Sequence, residues 1–346
     1  MLFWRCLLVI LPLVAPAAVA LGAQTQPYAR ATGTAQANEI QVVRSLLALA
    51  DTQTDLGKLK VTIDKLIDSR VDERETVRML DAMASAVRLS PDYGSTGDAK
   101  VRALRRYLYE PSAANDYQPF QYDLTDPLGH DIRNKLLSNY LNTRKGNCVT
   151  MPLLFVILGQ RLGIDITAAI APKHILVKFN SEEYGRWINL EATSGANPAR
   201  DVWLRQQFPS ITDEAIANGI YLQPLSKKEV AAVIVQTLAE FYYYQQQYDE
   251  TIVVSSLVLE HYPKDVGAMT LNGAAYLRLL HKHFLDKYPS SDQIPVVEQG
   301  YFQFLAQNNT GWFNKAEALG WRQETEAQEG QYQQKVDRAR QQNAPN

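Results

Sequence analysis

An apolar helical run followed at once by three β-rich segments is the feature that most restricts the fold of this chain. Residues 151–162, MPLLFVILGQRL, are mostly apolar and end at Gly163, as expected of a buried helix. Three segments rich in β-branched and aromatic residues follow, namely ITAAIA (166–171), HILVKF (174–179) and WINLEA (187–192). A helix followed by a run of strands predicts an α+β unit.

The amino terminus has the features of a secretory signal peptide. Arg5 precedes an apolar run that two prolines interrupt, and Ala18 and Ala20 form an A-x-A cleavage pattern. We therefore expect residues 1–23 to be a signal peptide that exports a bacterial protein to the periplasm. The alternative is an uncleaved N-terminal anchor with the protein facing the periplasm, since about twenty residues can just cross a bilayer. No later stretch is apolar enough to predict a stable membrane span.

Charge and cysteine usage narrow the class of protein. The net charge of −2 gives no basic surface that could follow phosphates, so we expect no nucleic-acid partner. Of the two cysteines, Cys6 lies in the predicted signal peptide, and Cys148 alone remains in the mature chain. A single thiol in an oxidising compartment is either a buried core residue or a functional group.

Apolar residues recur at helical spacing on both sides of the α+β unit, whereas both ends of the mature chain are polar. These changes in composition predict five regions after the signal peptide. They are a flexible leader (24–37), a helical lead-in region (38–110), the α+β core (111–210), a helical domain (226–320) and a polar tail (321–346).

The C-terminal helical domain contains a spacing typical of tetratricopeptide repeats. Ala239 and Tyr242 recur 34 residues later as Gly273 and Tyr276, which is the period of that family. The second copy is degenerate, because Asn272 stands where a leucine is expected. One good repeat with helical flanks is therefore predicted, and it either binds a protein or peptide partner or packs on the neighbouring domain.

Cys148 lies at the predicted start of the apolar helix. A helix N-terminus provides partial positive charge and unpaired N–H groups, which favour a thiolate. Arg144 and Lys145 lie just upstream and add positive potential. The backbone N–H of Cys148 is a candidate oxyanion donor, and Asn147 is a candidate for the second donor.

His174 is the best placed of the five histidines to act as a base, because it opens the β-rich segment HILVKF, the second segment after the helix. If residues 180–185 connect the last two strands, His174 and Glu191 lie directly opposite each other, with Cβ atoms roughly 4.5–5.5 Å apart. A carboxylate at that distance can orient the imidazole of a Cys–His pair. Asn189, two residues before, is the alternative orienter, and Glu191 would then be only an exposed strand residue.

Residues 54–200 resemble the bacterial transglutaminase-like core proteins of the papain-related superfamily, including the SirB type. The resemblance rests on RKGNCVTMPLLF, APKHILVKF and WINLEATSG, in that order and spacing. It implies that Cys148 is the nucleophile, His174 the base and Glu191 the orienter of the base. The usual acidic residue in the superfamily is Asp in a D-P-T-like context, whereas this chain has Glu191 in LEAT.

The resemblance implies an α+β fold with a helical N-terminal region, a transglutaminase-like core of antiparallel strands and C-terminal all-α, tetratricopeptide-like helices. The expected activity is cysteine-dependent acyl transfer on the amides of a protein or peptide, possible in two forms: a peptidase or amidase, or a crosslinking enzyme. The alternative is a catalytically silent scaffold that binds envelope proteins through its helical repeats, because some SirB-type relatives lack the cysteine. No cofactor and no metal are predicted, since His281 and His283 have no cysteine or carboxylate at ligand spacing.

Overall fold

The computed structural model describes residues 34–127 and 129–328, together with residues 330, 334, 337 and 338. The predicted signal peptide and most of the predicted leader lie outside the described residues. Residues 34–37 of that leader already belong to the first helix. None of the helices in the described ranges is long and apolar enough to cross a membrane.

Four helices occupy residues 34–109, where the apolar periodicity of residues 38–110 predicts a helical region. Three of them begin where a side chain accepts hydrogen bonds from the first N–H groups of the helix, namely Asp55, Asp72 and Thr96. The helices are α1 (Thr34–Leu47), α2 (Leu56–Ile67), α3 (Glu73–Arg88) and α4 (Gly97–Tyr109).

A buried ion pair in α2 interrupts the next helical segment. Lys60 and Asp64 are both fully buried and contact each other. The Lys60 ammonium donates to the carbonyl of Lys135 at 2.7 Å, and Asp64 accepts from the N–H of Leu137 at 2.6 Å. Because these two backbone groups bind side chains of α2, they do not form the hydrogen bonds of a continuous helix. A short 3₁₀ turn (Ile132–Lys135) and helix α5 (Leu137–Thr143) stand in place of one continuous helix.

The core is the predicted α+β unit, and its sheet is antiparallel. Helix α6 (Thr150–Arg161) is buried along most of its length and packs against the first two strands of a four-stranded sheet. Two short strands, β1 (Gln121–Tyr122) and β2 (Lys145–Gly146), form a separate parallel pair. The four-stranded sheet has its strands in chain order, namely β3 (Ile166–Ala171), β4 (His174–Ser181), β5 (Arg186–Glu191) and β6 (Asn197–Ala199).

The β4–β5 hairpin has a tighter turn than the sequence suggested. Ser181 pairs with Arg186, so the connection has four residues, 182–185, instead of six. The reason is Asp98 in the first turn of α4, whose carboxylate accepts from the Ser181 hydroxyl at 2.5 Å and from the N–H of Glu182 at 2.9 Å. Because this contact draws Ser181 into the ladder, the predicted register is wrong by two residues.

Within residues 200–319 six α-helices follow the sheet, and each contributes at least one side chain to its hydrophobic core. One cluster of buried apolar side chains runs from Ile40 to Ala316, and in it α9 (Lys227–Tyr244) packs against α2. A second, smaller cluster lies among the last three helices. The predicted boundary between residues 210 and 226 stays a prediction, as does the repeat assignment. The helices are α7 (Asp201–Gln207), α8 (Asp213–Ala217), α9 (Lys227–Tyr244), α10 (Tyr248–His261), α11 (Val266–Leu280) and α12 (Val296–Ala318).

Candidate active site

Cys148 lies in the short loop between β2 and α6, and Asn147 holds that loop in place. The Asn147 Oδ1 accepts from the N–H groups of Val149 at 3.0 Å and Thr150 at 3.1 Å, which caps the start of α6. Its Nδ2 donates to the carbonyl of Asn134 at 2.9 Å. These contacts give Asn147 a positioning role, and its suggested role as an oxyanion donor stays a prediction.

Gly146 allows the loop to pack closely beneath its neighbours. A Cβ at this position would lie 2.5 Å from a ring carbon of Tyr140 and 2.8 Å from Cγ of Met151, so a larger residue would displace the loop. On the other side, the carbonyl of Cys148 accepts from the N–H of Ile175 at 3.4 Å. The loop is thereby tied to the beginning of β4, where His174 lies.

His174 and Glu191 form a buried contact, with 2.9 Å between Nε2 and Oε2. Their side chains are only 10% and 8% exposed. The predicted direct opposition is wrong, because Val177 pairs with Leu190 and Lys178 with Asn189. Continuing this ladder places Glu191 diagonal to His174 on the same face, a separation that a long side chain can cross.

The second carboxylate oxygen of Glu191 is held by the residue two positions later. Oε1 accepts from both the N–H of Thr193 at 3.1 Å and its hydroxyl at 2.6 Å. Burial alone would raise the pKa of Glu191, but the charge of His174 and the hydrogen bonds from His174 and Thr193 outweigh it. The pKa of Glu191 is lowered from its ordinary value, so the carboxylate is ionised at neutral pH.

The imidazole of His174 is held in its charged form by its surroundings. Burial would lower its pKa, but the negative charge of Glu191 and the interactions with Cys148 and Glu191 together raise the pKa above the ordinary 6.5. The ring of Phe208 stacks on the imidazole, with 5.3 Å between centroids and 28° between planes. Phe208 therefore covers one face of His174.

The Cys148 thiol adjoins the His174 ring and donates to a backbone carbonyl beside it. Its Sγ lies 3.6 Å from the carbonyl oxygen of Lys173. Lys173 has a φ of 54°, the left-handed conformation, which lets the chain turn between β3 and β4. Because Nε2 of His174 faces Glu191, Nδ1 is the ring nitrogen that remains for the thiol.

Asn189, the alternative orienter, is directed elsewhere. Its Nδ2 donates to the carbonyl of Ala199 at 2.8 Å and to Oδ1 of Asp201 at 2.6 Å. These contacts hold β6 and the start of α7 against β5. Glu191, and not Asn189, is the residue that the structure brings to His174.

Three neighbours of the site were missed by sequence reasoning. Thr193 carries a usable signal, because a hydroxyl residue two positions after an acidic one often closes a local hydrogen-bonded turn. No sequence signal indicates Phe208 or Tyr109, since both residues reach the site only through the tertiary fold. The Tyr109 hydroxyl is buried and finds no hydrogen-bond partner among the described residues, and its pKa is raised by burial and by the charge of Glu191.

No metal site accompanies this arrangement in the described ranges, where no cluster of three or more His, Cys, Asp or Glu side chains could hold an ion. His281 instead contacts Asp286, with 3.0 Å between Nδ1 and Oδ1, and the ring of His283 packs edge-on against Tyr301.

The site combines a thiol near a helix start, an imidazole beside it and a carboxylate that fixes the imidazole. Such a set can transfer an acyl group, because the thiol can attack a carbonyl while the imidazole moves the proton. The charged form of His174 also favours the negative charge on sulfur that such an attack needs.

Comparisons with known proteins find two relatives and one superfamily model. Two relatives are UPF0162 proteins of Xylella fastidiosa: the protein of strain Temecula1 is 24% identical over 210 residues, which cover 57% of this chain and 71% of the relative. The protein of strain 9a5c is 24% identical over 212 residues, with the same two shares. No solved structure matches the chain significantly. Residues 74–236 match the model of the Transglutaminase-like superfamily, and the matched range includes Cys148, His174 and Glu191.

Proposed function

We propose that this protein is a cysteine-dependent enzyme that transfers acyl groups from amides, with Cys148 as nucleophile, His174 as base and Glu191 as orienter. The observation that carries the proposal is the buried contact of His174 with Glu191, next to a thiol at the start of α6. The superfamily match supports the same chemistry.

In the proposed reaction, the Cys148 sulfur attacks the carbonyl carbon of an amide and forms a carbon–sulfur bond. His174 delivers a proton to the leaving nitrogen as the carbon–nitrogen bond breaks, which leaves a thioester on the enzyme. Water or an amine then attacks the thioester carbon while His174 takes the proton of the attacking group. The carbon–sulfur bond breaks, which releases the acyl product and frees the Cys148 sulfur. Water makes the protein a peptidase or amidase, and a lysine amine makes it a crosslinking enzyme.

The substrate that we propose is a protein or peptide of the cell envelope. The proposal follows from the signal-peptide features of residues 1–23, which predict export to the periplasm. We also propose that the protein is of the SirB type and that its helices α9 to α12 act as tetratricopeptide-like repeats, which would recruit a protein partner. Fractionation of cells that express the full chain tests the location, and recovery in the cytoplasm would contradict it.

The silent scaffold remains the second candidate because the Cys148 side chain is buried. Only 3% of Cys148 is exposed, so a substrate must displace covering groups before the sulfur can react. A cysteine that is only a core residue would have the same burial.

Native thiol labelling separates the two candidates. The probe is alkyne-tagged iodoacetamide, applied to the full chain with Cys6→Ser so that Cys148 is its sole thiol. We expect native labelling that Cys148→Ser abolishes and that His174→Ala slows by roughly tenfold or more. Urea-denatured samples serve as the control for equal thiol content. Labelling that occurs only after denaturation would support the scaffold.

The acyl acceptor is then identified with a glutamine-containing peptide and a fluorescent primary amine. Incorporation of the amine indicates transfer, whereas release of ammonia without incorporation indicates hydrolysis. Mass spectrometry of the acid-quenched protein should show the acyl group on Cys148. If Cys148 reacts with iodoacetamide but no tested peptide acylates it, the proposed amide chemistry is contradicted.

A further inference from the structure

A buried lysine lies beside the loop that carries Cys148. The side chain of Lys135 is only 9% exposed, and its ammonium is 2.6 Å from Oε2 of Glu240. Glu240 lies on α9 and is 28% exposed, so this ion pair joins the C-terminal helices to the core next to the nucleophile.

Two observations place Lys135 close to the loop that carries Cys148 (residues 147–149), which we call the nucleophile loop. The preceding residue, Asn134, accepts a hydrogen bond from the Asn147 side chain at 2.9 Å. The side chains of Asn147 and Lys135 also converge at Gly129, where a Cβ would lie 2.7 Å from Nδ2 of Asn147 and 2.9 Å from Cε of Lys135. The Lys135 side chain thus lies close to Asn147, the residue immediately before Cys148.

The backbone of Lys135 is held equally firmly from the other side. Its carbonyl accepts from the buried ammonium of Lys60, and the N–H of Leu137 is bound by Asp64. The position of the Lys135 ammonium is therefore set by the fold and not by a flexible surface chain.

The groups around the ammonium keep it charged. Burial would lower the pKa of Lys135, but the charge and hydrogen bond of Glu240, with smaller effects of Tyr244 and Cys148, raise it. The geometry at Gly129 and Asn147 brings this charge close to the loop that carries Cys148, where a charge can act on the sulfur.

We propose that Lys135 is a positioning residue of the acyl-transfer site, whose positive charge stabilises the thiolate of Cys148, and that Glu240 reduces this effect by partly neutralising the ammonium. The inference rests on the proposed function. It makes α9 a part of the electrostatics of the nucleophile, in addition to its part in the hydrophobic core.

Two substitutions test this electrostatic role because they break the same ion pair with opposite effects on charge. Lys135→Met removes the positive charge, and Glu240→Gln leaves that charge without its partner. The measurement is the second-order rate of Cys148 alkylation by iodoacetamide, a neutral probe, in the full chain with Cys6→Ser at neutral pH and low salt. We expect the rate to fall at least about threefold in Lys135→Met and to rise in Glu240→Gln.

Two further variants serve as controls. Lys135→Arg keeps the charge and should keep the rate close to that of the wild type. Arg102→Gln breaks the exposed pair with Glu183 elsewhere on the surface and should leave the rate unchanged.

The outcomes distinguish this inference from the proposed function. A fall in both Lys135→Met and Glu240→Gln would show a structural ion pair and would overturn the role of Lys135. If Lys135→Met fails to fold, the Glu240→Gln variant still decides the question. An alkylation rate that is unchanged or lower in Glu240→Gln would overturn the proposed role of Lys135. A wild-type thiol that reacts only after denaturation would overturn the proposed function together with this inference.

Discussion

Glu191 reaches His174 diagonally across strands β4 and β5, and it uses one carboxylate oxygen for His174 and the other for Thr193. Oε2 lies 2.9 Å from Nε2 of the imidazole, whereas Oε1 accepts both hydrogen bonds of Thr193. Since both oxygens are engaged, the carboxylate has one orientation. The imidazole that it contacts is correspondingly fixed relative to Cys148.

Replacing Glu191 with Gln should lower turnover on the order of 10²-fold or more, because it removes the charge that stabilises the imidazolium. The fold should survive, since the amide fills the same space. Amine incorporation or amide hydrolysis measures turnover, and circular dichroism checks the fold. Thr193→Val is the control: it removes one hydroxyl bond and keeps the charge, so its loss should be roughly tenfold or less. Full activity in Glu191→Gln would contradict the proposed role of Glu191.

The His174–Glu191 pair should contribute most to stability between about pH 4.5 and pH 6.5. The pKa of Glu191 is lowered, so its contribution is present above the ordinary 4.5 and is lost as pH falls through the folded value. The pKa of His174 is raised, so its contribution is complete below 6.5 and is lost as pH rises through the folded value.

Urea unfolding from about pH 3 to about pH 9 measures this contribution as the difference in unfolding free energy between wild type and Glu191→Gln. The difference should be largest in the middle of the range and smaller at both ends. A difference that stays constant from about pH 5 to about pH 9 would mean that His174 is neutral in the folded protein.

Asn189→Ala should weaken the fold and leave the chemistry nearly intact. The variant loses two buried hydrogen bonds, to Ala199 and Asp201, which predicts a loss of about 1–3 kcal/mol of unfolding free energy. Urea unfolding and turnover per folded molecule are the two measurements. Loss of turnover in Asn189→Ala, with normal stability, would make Asn189 the orienter.

A chain that ends at Leu225 should fail to fold. Helix α9 would be missing, and its buried side chains belong to the same apolar cluster as those of α2 and β3. Thermal unfolding followed by circular dichroism, together with native labelling of Cys148, measures the result. A chain that ends at Thr325 is the control and should stay folded. If the chain ending at Leu225 is folded with a reactive thiol, the helices form an independent module.

Local patterns predicted most of the core from the sequence. The apolar run 151–162 and the three β-rich segments correspond to α6 and to strands β3, β4 and β5 within one or two residues at most ends. The approach of Glu191 to His174 was also predicted, although the register was wrong. A shift by two residues keeps a side chain on the same face of a sheet, which is why the pairing survived the error.

The remaining features depend on contacts between distant residues. Asp98 sets the β4–β5 turn from 83 positions earlier, and Phe208 reaches the imidazole only when α7 has packed. The break before α5 arises from Lys60 and Asp64 in another helix. Neither turn propensity nor apolar periodicity carries information about such partners.

The ion pair of Lys60 and Asp64 also decides how short a recombinant fragment can be. Both residues precede Arg74, the first residue of the range that matches the superfamily. A fragment cut at Arg74 would leave the carbonyl of Lys135 and the N–H of Leu137 without the charged groups that bind them inside the protein. The segment that supports the nucleophile loop would then be free to rewind into a longer helix. Fragments for crystallisation or screening should therefore start ahead of Leu56. The range that matches the superfamily model begins at Arg74, but the part of the chain that must fold together begins earlier, because it includes the buried ion pair.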